Sequence, residues 1–174
     1  MKKISILLLA LFLLCGCAEK KTYETISDGL ETPQLPNRLE MTAVLPEGAT
    51  SPVFSTSDAG KLYEYADCTV TMQAVTAGDF SGLIRDVTGY SQENLQIMES
   101  VQWGLPSFQV VWTAAGEGQT QVGRACILTD GNYYYVLTAM VPEEKAGNLS
   151  KGELKEMFAS FRAIAKQDVI SSGS

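Results

Sequence analysis

The sequence predicts an α+β domain, an antiparallel sheet of about six to seven strands with helices on both faces. Several segments have the two-residue period of a strand, and the segment 132–141 is apolar on both of its sides. One side carries Tyr133, Tyr135, Leu137 and Ala139. The other side carries Tyr134, Val136 and Met140. A strand that is apolar on both sides needs cover on both faces of its sheet. Two segments with the 3.6-residue period of a helix can supply that cover.

Turn residues separate the predicted strands. Pro46-Glu47-Gly48 ends the first strand, and the turn 57–60 joins the next two into a hairpin. Asp130-Gly131, the strongest hairpin signal in the chain, joins the last two. The strand candidates are 38–45, 53–56, 61–65, 68–75, 95–103, 107–114, 120–129 and 132–141.

Two helices are predicted. Asp79 is suited to cap the first, and Gly89 is suited to its C-terminal end. The apolar residues of this helix are Phe80, Leu83, Ile84 and Val87. Ser150 and Glu153 form a capping box at the start of the second helix, which is predicted over 151–165. Its apolar stripe comprises Leu154, Met157, Phe158, Phe161, Ile164 and Ala165.

The chain begins with a segment typical of an export signal. Lys2 and Lys3 precede an apolar run of about eleven residues, which is too short to span a membrane. The sequence Leu14-Cys15-Gly16-Cys17 follows, and it resembles the lipobox of bacterial lipoproteins. We expect cleavage before Cys17 and a lipid on its thiol, which anchors the chain to the extracytoplasmic face of a cell membrane. The alternative is an ordinary secretory signal with two incidental cysteines.

Composition excludes several kinds of function. The 174 residues include no His, which removes Ser–His–Asp and Cys–His catalytic sites and the commonest zinc ligand. The 13 basic residues include Lys2 and Lys3, so the mature chain keeps 11 basic against 20 acidic residues, a formal net charge of −9. Nucleic acid and anionic membrane surfaces both repel such a chain. The carboxylates also lack the spacing of a calcium loop, and we expect no metal site, cofactor or nucleic-acid partner.

The chain is predicted to contain one globular domain, since about 158 mature residues suit a single core. Residues 1–16 are interpreted as the signal peptide and 17–37 as the lipidated cysteine and a flexible linker. Residues 38–166 form the domain, and 167–174 form a disordered tail.

Two cysteines remain in the domain, Cys68 and Cys126. Outside the cytoplasm they can form a disulfide, which would close a long loop. They can equally be two separate buried thiols that act as small apolar side chains. The sequence leaves both alternatives open.

Several motifs together resemble the PsbP-like fold. The residues that carry the resemblance are the entry Leu45-Pro46-Glu47-Gly48, the strand 68–75, the short helix from Asp79, Trp103 and Trp112, the turn Asp130-Gly-Asn-Tyr-Tyr-Tyr135 and the helix Glu156-Met-Phe-Ala-Ser-Phe161. The extrinsic subunit of photosystem II, Ran-binding Mog-type proteins and bacterial DcrB-like lipoproteins share this fold. The resemblance covers about residues 38–166 and implies an α/β/α sandwich. It implies no catalytic residue, because the family has no shared active site.

The expected function is therefore non-enzymatic. We interpret the chain as a binding or assembly module for another envelope protein. Tyr63 and Tyr65, on an expected edge hairpin, are the candidate interaction surface, together with the loop 142–149. The other aromatic residues of the strands can line a ligand cleft or a partner patch, but packing in the core is the favoured interpretation for Trp103, Trp112 and Tyr133–Tyr135. Two alternatives remain, a small-ligand-binding lipoprotein associated with a transporter and an enzyme that uses carboxylates alone.

Overall fold

A seven-stranded antiparallel sheet forms the centre of the computed structural model, which describes residues 37–48, 53–54, 60–115 and 118–165. The strands of these residues are β1 Glu40–Thr42, β2 Val53–Phe54, β3 Gly60–Glu64, β4 Thr69–Thr76, β5 Ile97–Gln102, β6 Leu105–Ala115, β7 Thr120–Thr129, β8 Tyr133–Pro142 and β9 Arg162–Ile164. The helices are α1 Phe80–Thr88 and α2 Gly152–Ser160. The large sheet has the order β2-β3-β4-β8-β7-β6-β5, and β1 pairs with β9 in a sheet of two strands. The predicted α+β class is confirmed.

The turn between β7 and β8 forms at the predicted Asp130. Its carboxylate Oδ1 accepts hydrogen bonds from the backbone N–H groups of Asn132 and Tyr133, each at 2.8 Å. The hydroxyl of Tyr135 donates to Asp130 Oδ2 at 2.7 Å and accepts from the N–H of Leu39 at 2.9 Å. The start of the domain is therefore held at the end of the sheet where β7 turns into β8, which we call the Asp130 end.

Helix α1 covers one face of the sheet, which we call the α1 face. Asp79 Oδ1 accepts the N–H of Gly82 at 2.8 Å, and Gly89 ends the helix with a φ of 78°. Both capping residues are the predicted ones. Leu83 and Ile84 are buried against the sheet, and their cluster includes Ile127 of β7 and Val136 of β8.

Helix α2, the β1–β9 pair and a 3₁₀ segment, Glu143–Ser150, cover the opposite face, which we call the α2 face. Arg124 of β7 joins these parts. Its guanidinium lies 4.3 Å from the ring centroid of Phe158 and donates to the carbonyl of Leu149 at 2.7 Å and to Oε1 of Gln109 at 2.8 Å. A planar group with several donors can bind these partners together, whereas a lysine cannot.

The second helix is shorter than predicted. It ends at Ser160, and Phe161 already has extended dihedral angles, because the following strand pairs with β1 instead of continuing the helix. The predicted capping box is also wrong, since the Ser150 hydroxyl donates back to the carbonyl of Gly147 at 3.3 Å and Lys151 occupies the N-cap. Phe161 is still fully buried, as the apolar stripe requires.

A second cluster of apolar side chains lies on the α1 face beside β7. Trp112 of β6 is almost fully buried, although it lies on a strand near the edge of the sheet. It lies opposite Gly123, which in turn lies opposite Met140. A Cβ at Gly123 would come within 2.4 Å of the indole and 2.6 Å of the Met140 sulfur. The missing side chain of Gly123 therefore leaves the space that the indole occupies.

The predicted signal peptide, Cys17 and nearly all of the linker lie outside the described residues, as does the tail 167–174. Within the described residues the first strand begins at Glu40 and the last ends at Ile164.

Candidate functional site

The two tyrosines of the predicted interaction surface are not exposed. Tyr63 is only 5% exposed and belongs to the core on the α2 face, and Tyr65 is partly buried against the same core. Tyr63 lies opposite the fully buried Val70, so the two-residue period directs both tyrosines inward. The hairpin itself does lie at an edge of the large sheet, as predicted, where β2 pairs with β3 at Lys61 and Leu62. The prediction that Tyr63 and Tyr65 form an exposed surface is wrong.

The segment 142–149 does not form an apolar patch either. Most of it is the 3₁₀ segment Glu143–Ser150, whose Leu149 is buried and whose Ala146 packs against the core. Lys145 forms an ion pair with Asp67. The apolar residues of this segment therefore cover the α2 face.

Cys68 and Cys126 are separate thiols. Cys126 lies opposite Leu137 of β8, whereas Thr69, the residue after Cys68, lies opposite Met140 on the other side of that strand. Two strand spacings and three residues along the strand already separate Thr69 from Cys126 by about 14 Å, and Cys68 lies one residue further away. A disulfide needs Cα atoms within about 7 Å. Of the two alternatives, the structure has the separate thiols, and burial raises the pKa of both.

The exposed large apolar side chains of the described residues concentrate on the hairpin of β5 and β6. Val101 is 74% exposed, Trp103 61%, Met98 58% and Val111 53%. Tyr90, at 40%, lies nearby and donates its hydroxyl to the carbonyl of Thr113 on β6. Such a concentration on one hairpin is unusual for a surface that contacts only water.

Strand β5 forms one edge of the large sheet, and no described residue pairs with its outer side. Four consecutive residues, 98–101, are exposed, so neither side of the strand is covered there. Met98 and Val111 project from the α2 face, beyond the cover of α2, and Val101 projects from the α1 face. An exposed edge strand with apolar side chains is a template for pairing with another chain.

The turn geometry decides which backbone groups face outward. A two-residue turn joins β5 to β6, and the residues that flank it, Gln102 and Leu105, form a hydrogen-bonded pair. Since hydrogen-bonded pairs alternate along an antiparallel ladder, the N–H and C=O groups of Ile97, Glu99 and Val101 point away from β6. These groups are the ones that a further strand can pair with.

The turn itself places a tryptophan where a small polar residue is usual. Trp103 has a φ of 54° and Gly104 a φ of 82°. Two successive positive φ values favour Asn-Gly, and the left-handed region costs a bulky residue roughly 1–2 kcal/mol. The Arg162 guanidinium lies 5.9 Å from the Trp103 ring centroid. The side-chain amide of Gln102 donates to the carbonyls of Phe158 and Phe161, at 3.0 and 2.8 Å, which holds the turn against the end of α2.

Sequence reasoning assigned Trp103 to the core, together with Trp112. Trp112 is buried and Trp103 is not, so the interpretation is right for the first and wrong for the second. The signal that distinguishes them is local. Gly104 and Pro106 directly follow Trp103, and such residues indicate a turn between two strands.

The hairpin of β5 and β6 carries very little charge. The hairpin strands contain one charged residue, Glu99, and no charged residue lies between Glu99 and Glu117. Across the part of the chain that the structure describes, no group of three His, Cys, Asp or Glu side chains is placed to hold a metal ion. No helix within the same residues is long and apolar enough to cross a membrane.

Comparison with known proteins identifies the fold. No protein-family model and no curated protein matches the sequence. Cyanobacterial PsbP (CyanoP) from Synechocystis is similar in structure, with a TM-score of 0.51 and 8% identity over 71% of this chain and 86% of that one. A Bacteroides thetaiotaomicron protein has a TM-score of 0.50 and 14% identity over 73% of this chain, which spans only 46% of that protein. LpqN, involved in cell envelope biogenesis of Mycobacterium tuberculosis, has a TM-score of 0.49 and 14% identity over 76% of this chain and 87% of LpqN. The likeness to CyanoP confirms the PsbP-like fold that the motifs predict.

Proposed function

We propose that this chain, which has the PsbP-like fold, is a lipid-anchored module on the extracytoplasmic face of a cell membrane and binds another envelope protein through strand β5. The observation that carries the proposal is the exposed edge of β5, where Val101 is 74% and Met98 58% exposed. The partner adds a strand to this edge, and its side chains contact the apolar residues on either side.

The edge has the length and the chemistry that strand addition needs. Six residues, Ile97–Gln102, span about 20 Å, which is an ordinary strand length. Backbone hydrogen bonds from Ile97, Glu99 and Val101 give affinity, and the exposed side chains give specificity. Val101 meets the partner on the α1 face, and Met98 and Val111 meet it on the α2 face.

The N-terminal sequence supports the lipid anchor. The lipobox-like sequence that ends at Cys17 has the usual distance from the apolar run. The mature chain is strongly acidic, so electrostatic attraction does not hold it at an anionic surface. Two or three acyl chains on Cys17 are sufficient to hold it there.

Site-specific photo-cross-linking in cells that make the protein tests the binding edge. A photo-reactive residue at Glu99 is expected to give one discrete protein adduct, and the same residue at Lys155, which is exposed on α2, is expected to give none. Val101→Pro removes an outward N–H group and should reduce the Glu99 adduct to background, whereas Val101→Thr keeps that group and should retain it. Equal adducts from both positions, or an adduct that survives Val101→Pro, would contradict the proposed edge.

The lipid anchor has its own test. A Cys17→Ser variant is expected to lose incorporation of radiolabelled palmitate and to move from the membrane fraction to the soluble fraction as a folded protein. The Cys15→Ser variant is the matched control, since its cysteine is removed with the signal peptide, and it should keep the label. A Cys17→Ser variant that stays in the membrane fraction would show that the anchor is not at this thiol.

A further inference from the structure

We propose that the turn Trp103-Gly104 is a second membrane contact, whose apolar side chains enter the headgroup region of the bilayer to which Cys17 anchors the chain. The inference rests on the lipid anchor of the proposed function. Its first support is the position of this turn relative to the point where the chain enters the fold.

The turn and the entry point lie at the same end of the sheet. Leu39 is held at the Asp130 end through the hydroxyl of Tyr135. Ser107 lies opposite Leu128, so the start of β6 lies at the same height as the turn at Asp130, and Trp103 lies just beyond it. Three strand spacings, about 15 Å, separate β8 from β5. The segment that leads from a lipid on Cys17 would therefore join the domain at the same end as Trp103.

The turn has the composition of a membrane contact. Trp103 and Val101 are the two most exposed large apolar residues of the described chain, and no charged residue lies between Glu99 and Glu117. Tryptophan is enriched where a protein meets the interface between water and lipid. The neighbouring Arg162 supplies a cation at the level of the lipid phosphates. The acidic residues of the chain are absent from this hairpin tip, where an anionic surface would repel them.

The backbone gives an independent reason to assign a function to Trp103. Its φ of 54° is disfavoured for a bulky residue, and the two-residue turn favours Asn at this position. An exposed tryptophan at this position therefore contributes little to the stability of the fold. Strained residues of this kind concentrate at functional sites.

A weak contact is sufficient in a tethered protein. The sequence predicts a flexible linker of about twenty residues, for which the average span is about 25 Å, so the anchored domain is expected to stay near the bilayer. Tethering over such distances gives effective concentrations in the millimolar range. The contact then sets the orientation of the domain, and β5 stands roughly perpendicular to the membrane with its free edge facing sideways. This orientation presents the edge to a partner that is also held at the membrane.

Quenching of tryptophan emission by brominated lipid tests the inference. The purified lipoprotein is reconstituted in phosphatidylcholine vesicles with or without bromine on the acyl chains, and recovery of the protein with floating vesicles is measured on the same samples. The brominated vesicles are expected to quench the share of the emission that comes from Trp103. Trp112, which is buried, is the internal reference that stays unquenched. Trp103→Asn should abolish the quenching and keep the fold, since Asn suits the positive φ, and Val101→Ser should weaken it.

The outcomes separate the two proposals. Protein that does not float with the vesicles contradicts the lipid anchor. Protein that floats but shows equal emission in both kinds of vesicle overturns the membrane contact and leaves the anchor intact. Quenching that persists in Trp103→Asn places another surface on the membrane and also overturns it. A further outcome concerns quenching by iodide in solution. If iodide still quenches Trp103 on vesicles, and the quenching is lost only when solubilised envelope proteins are added, the occupant is a protein and the inference is overturned.

Discussion

Substituting Gly123 by alanine tests the packing that closes the α1 face. A Cβ at this position would lie 2.4 Å from Cζ2 and 2.5 Å from Cε2 of Trp112, and 2.6 Å from the sulfur of Met140. Real Cβ atoms essentially never lie within 3.0 Å of such a neighbour, and contact is ordinary only beyond 3.4 Å, so the indole must move by about 0.6–1 Å. Met140 can turn its flexible end away, but the indole is rigid and buried beside β7.

The expected loss of unfolding free energy is about 1–2 kcal/mol. Overpacking a buried site costs about 1–3 kcal/mol, and the lower entropy of the unfolded alanine chain returns about 0.4–1 kcal/mol. The loss is a large share of the 5–15 kcal/mol that stabilises a typical domain. Urea unfolding followed by circular dichroism measures this loss, and the slope of the unfolding free energy against urea concentration should stay unchanged. Gly78→Ala and Gly147→Ala are matched controls, because an added Cβ at Gly78 or Gly147 meets nothing within 4 Å, and both should be neutral or slightly stabilising.

A double-mutant cycle decides whether the indole is the cause. In a Trp112→Phe background the smaller ring leaves room for the methyl group, so Gly123→Ala should cost less than about 1 kcal/mol. An equal penalty in both backgrounds, or a Gly123→Ala variant as stable as the parent, would refute the explanation that Gly123 provides the space for Trp112.

Three further predictions concern single buried groups. Burial raises the pKa of Tyr135 above its ordinary value of 10, so the folded state holds the phenol proton more tightly than the unfolded chain. Its stabilising contribution is complete below about pH 10 and is lost as the pH rises further. Between pH 9 and 11 the free energy of unfolding should therefore fall less for Tyr135→Phe than for the parent. Arg124→Lys should cost about 2 kcal/mol in the same urea assay, since an ammonium group cannot keep the contacts with Phe158 and two hydrogen-bond acceptors together; a neutral effect would argue against that role. When the mature chain is unfolded without reductant, a thiol reagent should modify two cysteines, Cys68 and Cys126. If neither cysteine reacts, they form a disulfide and the strand register is different.

Local signals predicted the local structure well. Asp79 and Gly89 cap α1 without help from distant residues. The side chain of Asp79 accepts a backbone N–H group of the first turn, and the backbone of Gly89 adopts the left-handed conformation that ends the helix. Asp130-Gly131 forms its turn for the same reason. In each case the interacting groups lie within a few residues of one another, so the sequence contains the whole interaction.

Predictions that depended on distant partners were less successful. Residues 161–165 have an apolar helical period, but β1 offers Arg162–Ile164 a strand to pair with, and this pairing ends the helix. The capping box at Ser150 failed for a local reason, because Ser150 ends a 3₁₀ segment and its hydroxyl donates to the carbonyl of Gly147 in that segment. The competing partner in the first case is 120 residues away, at Thr42.

The sequence by itself determined the class of the fold and most of its elements, since periodicity, caps and turns are properties of short segments. Only the tertiary structure decided which apolar residues remain exposed. Tyr63 and Trp103 are both aromatic residues near strand ends, and even the turn signal after Trp103 does not show that its side chain is uncovered. Packing on the sheet decides it, because the α2-face core encloses Tyr63, whereas β5 and its turn lie at the free edge of the sheet.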